Sequence, residues 1–272
     1  MSRIAGRFQK LAEQCRTALI PYIVAGDPSQ PFTVPLMHRL VESGADVLEL
    51  GVPFSDPMAE GPVIQVAHER ALANGTTLAS VLEMVREFRL SDSTTPVLLM
   101  GYANPVMHMG YARFADAAAD VSLDGLLTVD IPPEEVDGIK RELQRVSIDN
   151  ILLVAPTTPK ERIVRIASSA SGFIYYVSLK GVTGAGHIDT AEVAGRVTEI
   201  RKHSTLPVAV GFGIKDAISA RAVAETADGV VVGSALVNAM AQVIEKGGEP
   251  AAAIEAAAAL LADIRQGIDS AA

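Results

Sequence analysis

The chain has no tryptophan and only one cysteine, Cys15. A single cysteine excludes an intrachain disulfide and points to a reducing compartment. Aromatic residues make up only 4% of the 272 residues, while hydrophobic residues reach 49%. The core must therefore be built from Val, Ile, Leu and Ala. Positive charge is also scarce, with 23 Lys and Arg against 32 Asp and Glu and a net charge of −9. Such a chain is a poor nucleic-acid binder, because phosphates need a basic face to neutralise them. A small anion held by backbone amides is still compatible. No apolar run approaches the roughly 18 residues that a membrane span needs. Residues 1–8 also lack the apolar centre of a signal peptide, so a cytoplasmic location is expected. His38, His68, His108, His187 and His203 show no metal-ligand spacing, so no metal is expected. No polar stretch is long enough to divide the chain, and residues 1–272 are expected to form one domain.

What is present is a repeated alternation. Short Val/Ile/Leu-rich runs fall at Leu19–Val24, Val47–Leu50, Val97–Met100, Gly125–Val129, Ile151–Val154, Phe173–Val177, Val208–Val210 and Gly229–Val232. Continuous apolar runs of this length suit parallel strands buried on both faces. Helical stretches lie between them, among them Phe32–Ser43, Val63–Asn74, Pro133–Arg145, Lys160–Ser168, Ala191–His203 and Ala217–Glu225. Eight such units predict a closed (β/α)8 TIM barrel, with an open doubly wound sheet as the alternative. A helix over Ile4–Gln14 precedes the first strand and could plug the barrel bottom. A short helix from Ser234 and an extra one from Pro250 to about Arg265 follow the last strand.

In a parallel barrel the chemistry sits where the strands end, because the βα loops gather there. The second strand ends in Glu49, flanked by Leu48 and Leu50. Alternation points its carboxylate into the barrel mouth, where burial raises its pKa toward neutrality and suits it to acid–base work. A buried structural ion pair is the competing explanation. The loop that follows is long for this position, where about 2–6 residues is usual, and it carries Asp56, Glu60 and Gly61. Glu60 is either a second carboxylate over the mouth or an acid favoured by the N-terminus of a helix starting near Pro62. Glycines recur after strands six, seven and eight: Gly181, Gly184 and Gly186, then Gly211 and Gly213, then Gly233 before Ser234. Each alone is most simply a turn. Together with a helix starting at Ser234 they make a phosphate site of backbone N–H groups.

Five segments carry a family resemblance: Pro21 to Pro28, Leu48 to Pro57, Gly61-Pro62 with Gln65, Gly181 to Gly184, and Gly211 to Ile214. In order and spacing they resemble tryptophan synthase α chains over essentially the whole length. The resemblance implies retro-aldol cleavage of indole-3-glycerol phosphate to indole and glyceraldehyde 3-phosphate in tryptophan biosynthesis. It implies Glu49 as the group moving a proton at indole C3, Glu60 as the carboxylate at the indole N–H, and Tyr175 beside the reacting atoms. It assigns Tyr22, Thr183, Gly184, Phe212, Gly213, Gly233 and Ser234 to substrate and phosphate binding. It further implies a β subunit that carries pyridoxal phosphate (PLP) in an α2β2 complex, so this chain needs no cofactor of its own. That subunit would be met through Pro53, Asp56, Asn104 and Pro132. The family usually has Asp at position 60, Thr at 24 and Arg at 179, where this chain has Glu60, Val24 and Leu179. These departures leave two alternatives, a weakly active ligand-binding subunit that regulates a β partner and a stand-alone lyase.

Overall fold

The computed structural model describes residues 2–178, 190–211 and 213–270. Eight strands close into a barrel in chain order: β1 (Ala18–Val24), β2 (Leu48–Gly51), β3 (Val97–Gly101), β4 (Gly125–Thr128), β5 (Asp149–Val154), β6 (Ile174–Val177), β7 (Val208–Gly211) and β8 (Gly229–Val232). Every neighbouring pair is parallel, and β1 pairs with β8 to complete the ring. The open-sheet alternative is thereby removed. Nearly every strand residue is buried, as continuous aliphatic runs require when helices cover the outside and side chains fill the inside.

The helices are α1 (Arg3–Glu13), α2 (Gln30–Glu42), α3 (Pro62–Ala73), α4 (Leu78–Arg89), α5 (Ala103–Met109), α6 (Tyr111–Asp120), α7 (Asp137–Arg145), α8 (Lys160–Ser169), α9 (Thr190–Arg201), α10 (Ala217–Ala224), α11 (Ser234–Glu245) and α12 (Pro250–Asp269). Three boundaries have plain causes. Pro62 opens α3, where its missing N–H costs nothing. Thr77 and Ser80 cap α4 reciprocally. Gly110, at φ +90, separates α5 from α6. The stretch expected as helix from Pro133 is helical only from Asp137, because residues 133–136 form a turn. The helix after β8 is not short: α11 has 12 residues.

α1 closes the bottom of the barrel. Its Ile4, Phe8 and Leu11 are buried. The Phe8 ring lies 5.5 Å from that of Phe173, just before β6. Gly125 and Gly229, the first residues of β4 and β8, leave room for it: a Cβ at Gly125 would lie 3.0 Å from Ile4 Cδ1, and one at Gly229 would lie 3.4 Å from Phe8 Cε1. Aspartates next to the strand starts tie this end together. Asp46 accepts from the Leu19 N–H at 3.0 Å, Asp124 from the Val97 N–H at 2.8 Å and Asp228 from the Val208 N–H at 2.8 Å. α12 reaches the same rim through Arg265, which donates to Thr17 O and Asp46 Oδ2 at 3.1 Å each. With the bottom sealed, the opposite rim is left for ligands.

Candidate active site

The mouth is built from the ends of strands that face each other. Glu49 on β2 is paired in register with Tyr22 on β1 and Leu98 on β3. It is fully buried, and among the described residues neither carboxylate oxygen has a hydrogen-bond partner. Burial, and then the negative charge of Glu60, raise its pKa to about 8. Among the described residues no cation pairs with it, so the structural ion pair finds no support there. Glu60 lies half-buried near the end of the β2–α3 loop, and burial raises it to about 7. Desolvation is the main cause for both groups, as for carboxyls moved out of water with no compensating donor. Two like groups pushed to neighbouring values near neutrality share protons around pH 7.

Two tyrosines hang into the same space. Burial raises both Tyr22 and Tyr175 well above the usual phenol value, and the charges of Glu49 and Glu60 push each one further. Tyr175 belongs to β6, on the far side of the ring from β2, so this mutual influence runs across the barrel. Each phenol occupies space left by a glycine. A Cβ at Gly51 would lie 2.2 Å from the Tyr22 hydroxyl, and one at Gly211 would lie 2.2 Å from the Tyr175 hydroxyl. Gly233 also yields to Tyr22, with 3.2 Å from its would-be Cβ to the ring. Gly233 is the N-cap of α11, and Ser234 opens the helix, exposed. The first amides of a 12-residue helix therefore stand beside Tyr22 and one strand away from Glu49. Gly213 is exposed in a left-handed conformation, φ +79, just beyond β7. Thr183, Gly184 and Phe212, like Leu179, lie outside the described residues.

The four expected partner-contact residues are gathered on one rim. Phe54 stacks on Tyr102 with centroids 4.8 Å apart, and the Ala59 N–H donates to the Tyr102 hydroxyl at 3.0 Å. The Ala103 N–H donates to Asp130 at 2.7 Å, which joins the loops after β3 and β4. These links bring the loop of Pro53 and Asp56 beside Asn104 and Pro132. Asp56 and Asn104 are exposed, Pro132 is half-buried and Pro53 is buried. Met58 (80% exposed), on the β2–α3 loop, and Met107 (60%), on α5, stand on the same rim.

Two residues that sequence reading did not place in the site belong to its frame. Tyr102 is one. His68 is the other, buried on α3 between the β2–α3 loop and Tyr22. A signal existed for it: Ile64, Ala67, His68 and Ala71 form the buried face of α3, and a histidine on an apolar face needs a polar partner. Among the described residues no cluster of His, Cys, Asp and Glu is arranged to hold a metal ion, and no helix is long and apolar enough to cross a membrane.

A sealed parallel barrel with elevated carboxyls at its mouth and a helix N-terminus beside them belongs to the class of barrel enzymes equipped for acid–base chemistry. The comparisons make the class specific. A profile of the family described as tryptophan synthase alpha chain matches residues 8–266. The tryptophan synthase alpha chain of Thiobacillus denitrificans is 56% identical over 100% of this chain and 97% of its own length. That of Laribacter hongkongensis is 57% identical over 99% of this chain and 100% of its own. The crystal structure of tryptophan synthase subunit alpha from Legionella pneumophila superposes with a TM-score of 0.92 at 48% identity, covering 99% of both chains. The chain belongs to the tryptophan synthase alpha chain family. It is thus the lyase subunit that cleaves indole-3-glycerol phosphate in tryptophan biosynthesis.

Proposed function

We propose that Glu49, Glu60 and Tyr175 are the catalytic groups of this lyase. The observation that carries the reading is Glu49 itself, a fully buried carboxyl with no partner among the described residues, raised to about 8. At neutral pH it holds a proton that it can release. Glu60, raised only to about 7, is the more ionised of the two. Glu49 gives its proton to indole C3, and the ring becomes cationic. Glu60 offsets that charge at the indole nitrogen. The carboxylate left on Glu49 takes the proton of the hydroxyl on the adjoining side-chain carbon. The C–C bond then breaks, its electron pair returns to the ring as indole, and the carbon becomes the aldehyde of glyceraldehyde 3-phosphate. Glu49 ends as it began. Tyr175 and Tyr22 wall the reacting atoms, while Gly213, Gly233 and Ser234, with Thr183, Gly184 and Phe212, hold the phosphate and the indole. The amides opening α11 support the phosphate end of this arrangement, since a helix N-terminus favours an anion.

The whole of residues 1–272 acts as one barrel domain, and its single continuous core from Ile4 to Ile268 supports this. The rim with Pro53, Asp56, Asn104 and Pro132 meets a β subunit in an α2β2 complex in the cytoplasm. The exposed Met58 and Met107 beside these residues favour a partner over a stand-alone enzyme. PLP belongs to that β subunit, and this chain carries no cofactor. The reading is tested by single-turnover cleavage of indole-3-glycerol phosphate with and without a β subunit. Indole should form in both cases and faster with the partner. No indole in either case would leave only a regulatory role, and rapid multiple turnover unaffected by the partner would leave a stand-alone lyase.

A further inference from the structure

His68 makes two hydrogen bonds that together fix its proton. The Phe54 N–H donates to Nδ1 at 3.0 Å, and Nε2 lies 3.3 Å from the Tyr22 hydroxyl. A backbone N–H can only donate, so Nδ1 must be the bare nitrogen and the ring proton must sit on Nε2. Nε2 then donates to the Tyr22 oxygen. A phenol oxygen that accepts in this way keeps its own proton for another acceptor. That oxygen sits over Gly51, two residues beyond Glu49 on the same face of β2. The two oxygens of Glu49 lack any partner among the described residues. Burial of the ring, which lowers His68 to about 4, agrees with a neutral imidazole.

We infer that His68 is a positioning residue for the reaction: it ties the backbone of the β2–α3 loop to Tyr22 and turns the Tyr22 hydroxyl into a donor aimed at the mouth between Glu49 and Glu60. The chain of bonds runs from Phe54, on the loop that carries Glu60, through the imidazole to the phenol. The donor is set before substrate arrives, which is how a preorganised group contributes to a transition state. This rests on the reading of Glu49 as the acid–base group, and the test separates the two.

Asparagine and glutamine split the two halves of the imidazole. An Asn side chain places its polar atoms near Nδ1, and a Gln side chain reaches Nε2. His68→Gln keeps a donor to Tyr22, whereas His68→Asn keeps only the bond from Phe54. Tyr22→Phe removes the hydroxyl itself. Tyr22→Phe and His68→Asn should each lower kcat about tenfold with KM little changed, the loss expected of one hydrogen bond made in the transition state. His68→Gln should stay within about threefold of the parent. In Tyr22→Phe the Asn and Gln variants should become equal, because the acceptor of the relay is gone. Should an Asn variant fail to fold, 15N spectra of the parent protein decide: His68 must be the neutral Nε2–H tautomer from about pH 6 to 8. An Nδ1–H tautomer or an imidazolium overturns the inference, as does Tyr22→Phe at parental kcat or additive losses in the double variants. Glu49→Gln is measured in parallel. If it retains turnover, the Glu49 reading falls; if it is inactive while the Tyr22 and His68 series is silent, only the relay falls.

Discussion

Acidic residues occupy both ends of this barrel, and they are treated in opposite ways. At the bottom, Asp124 accepts from the Val97 N–H and from Arg3 at 2.8 Å each and from Arg89 at 2.6 Å. Asp46 is held by the Leu19 N–H and by Arg265, and Asp228 by the Val208 N–H and Arg201. At the top, Glu49 is buried as deeply, with no donor among the described residues. Burial lifts Asp46 too, but its N–H donor and arginines pull against that lift; among the described residues nothing pulls back on Glu49. Carboxylates that are bonded on every side hold strands in place. A carboxyl left bare is destabilising, and the catalytic role proposed for Glu49 gives the fold a reason to keep it.

The contrast can be broken from either end. The largest effect is expected at the top. Glu49→Gln should lower indole formation about a thousandfold, the size of a lost acid–base group. The same change should stabilise the protein, with a definite sign in pH. Glu49 keeps its proton to about 8 when folded and to about 4.5 when unfolded. Between these values the folded state binds the extra proton, so wild-type stability falls as pH rises. Urea midpoints should thus show no advantage for Glu49→Gln below about pH 4.5 and a gain on the order of 4 kcal/mol near pH 8. A destabilised Gln variant at pH 8 would mean that the carboxylate has a donor after all.

The next effect belongs to the bottom and is its mirror image. Asp124→Asn should cost about 3 kcal/mol by denaturant unfolding, because it leaves the buried Arg89 bonded to carbonyls but without the counter-charge of Asp124. It should leave kcat unchanged, and a fall in kcat at full folding would show that the two rims are coupled. The smallest effect is expected at Glu60. Glu60→Asp should hold or raise activity, and Glu60→Gln should lower it about tenfold. Loss of activity in the Asp variant would show a mouth rebuilt around the longer side chain.

The barrel was legible because its strands are buried on both faces and so read as unbroken aliphatic runs. Helices were less so. α5 has seven residues and stops at Gly110, too short for a periodic signal. α4 was not named in advance, although Leu78, Val81, Leu82, Val85 and Phe88 recur at helical spacing behind the Thr77 cap. Glu49 was legible from alternation alone, because an acid between two leucines at a strand end has one place to go. His68 was not, since its meaning depends on two partners, Phe54 and Tyr22, that lie 14 and 46 residues away in the chain.

The glycines under the two phenols have a bearing on how this mouth could be remodelled. Gly51 and Gly211 supply the hollows in which Tyr22 and Tyr175 lie. The dimensions of the cavity are therefore set by each pair jointly. Trimming Tyr22 opens volume that is already backed by bare main chain, so a bulkier indole is best admitted there. Adding a methyl at 51 has the opposite outcome, and only a smaller residue at 22 makes room for it. Variation at 22 and 51, and again at 175 and 211, has to be designed two positions at a time.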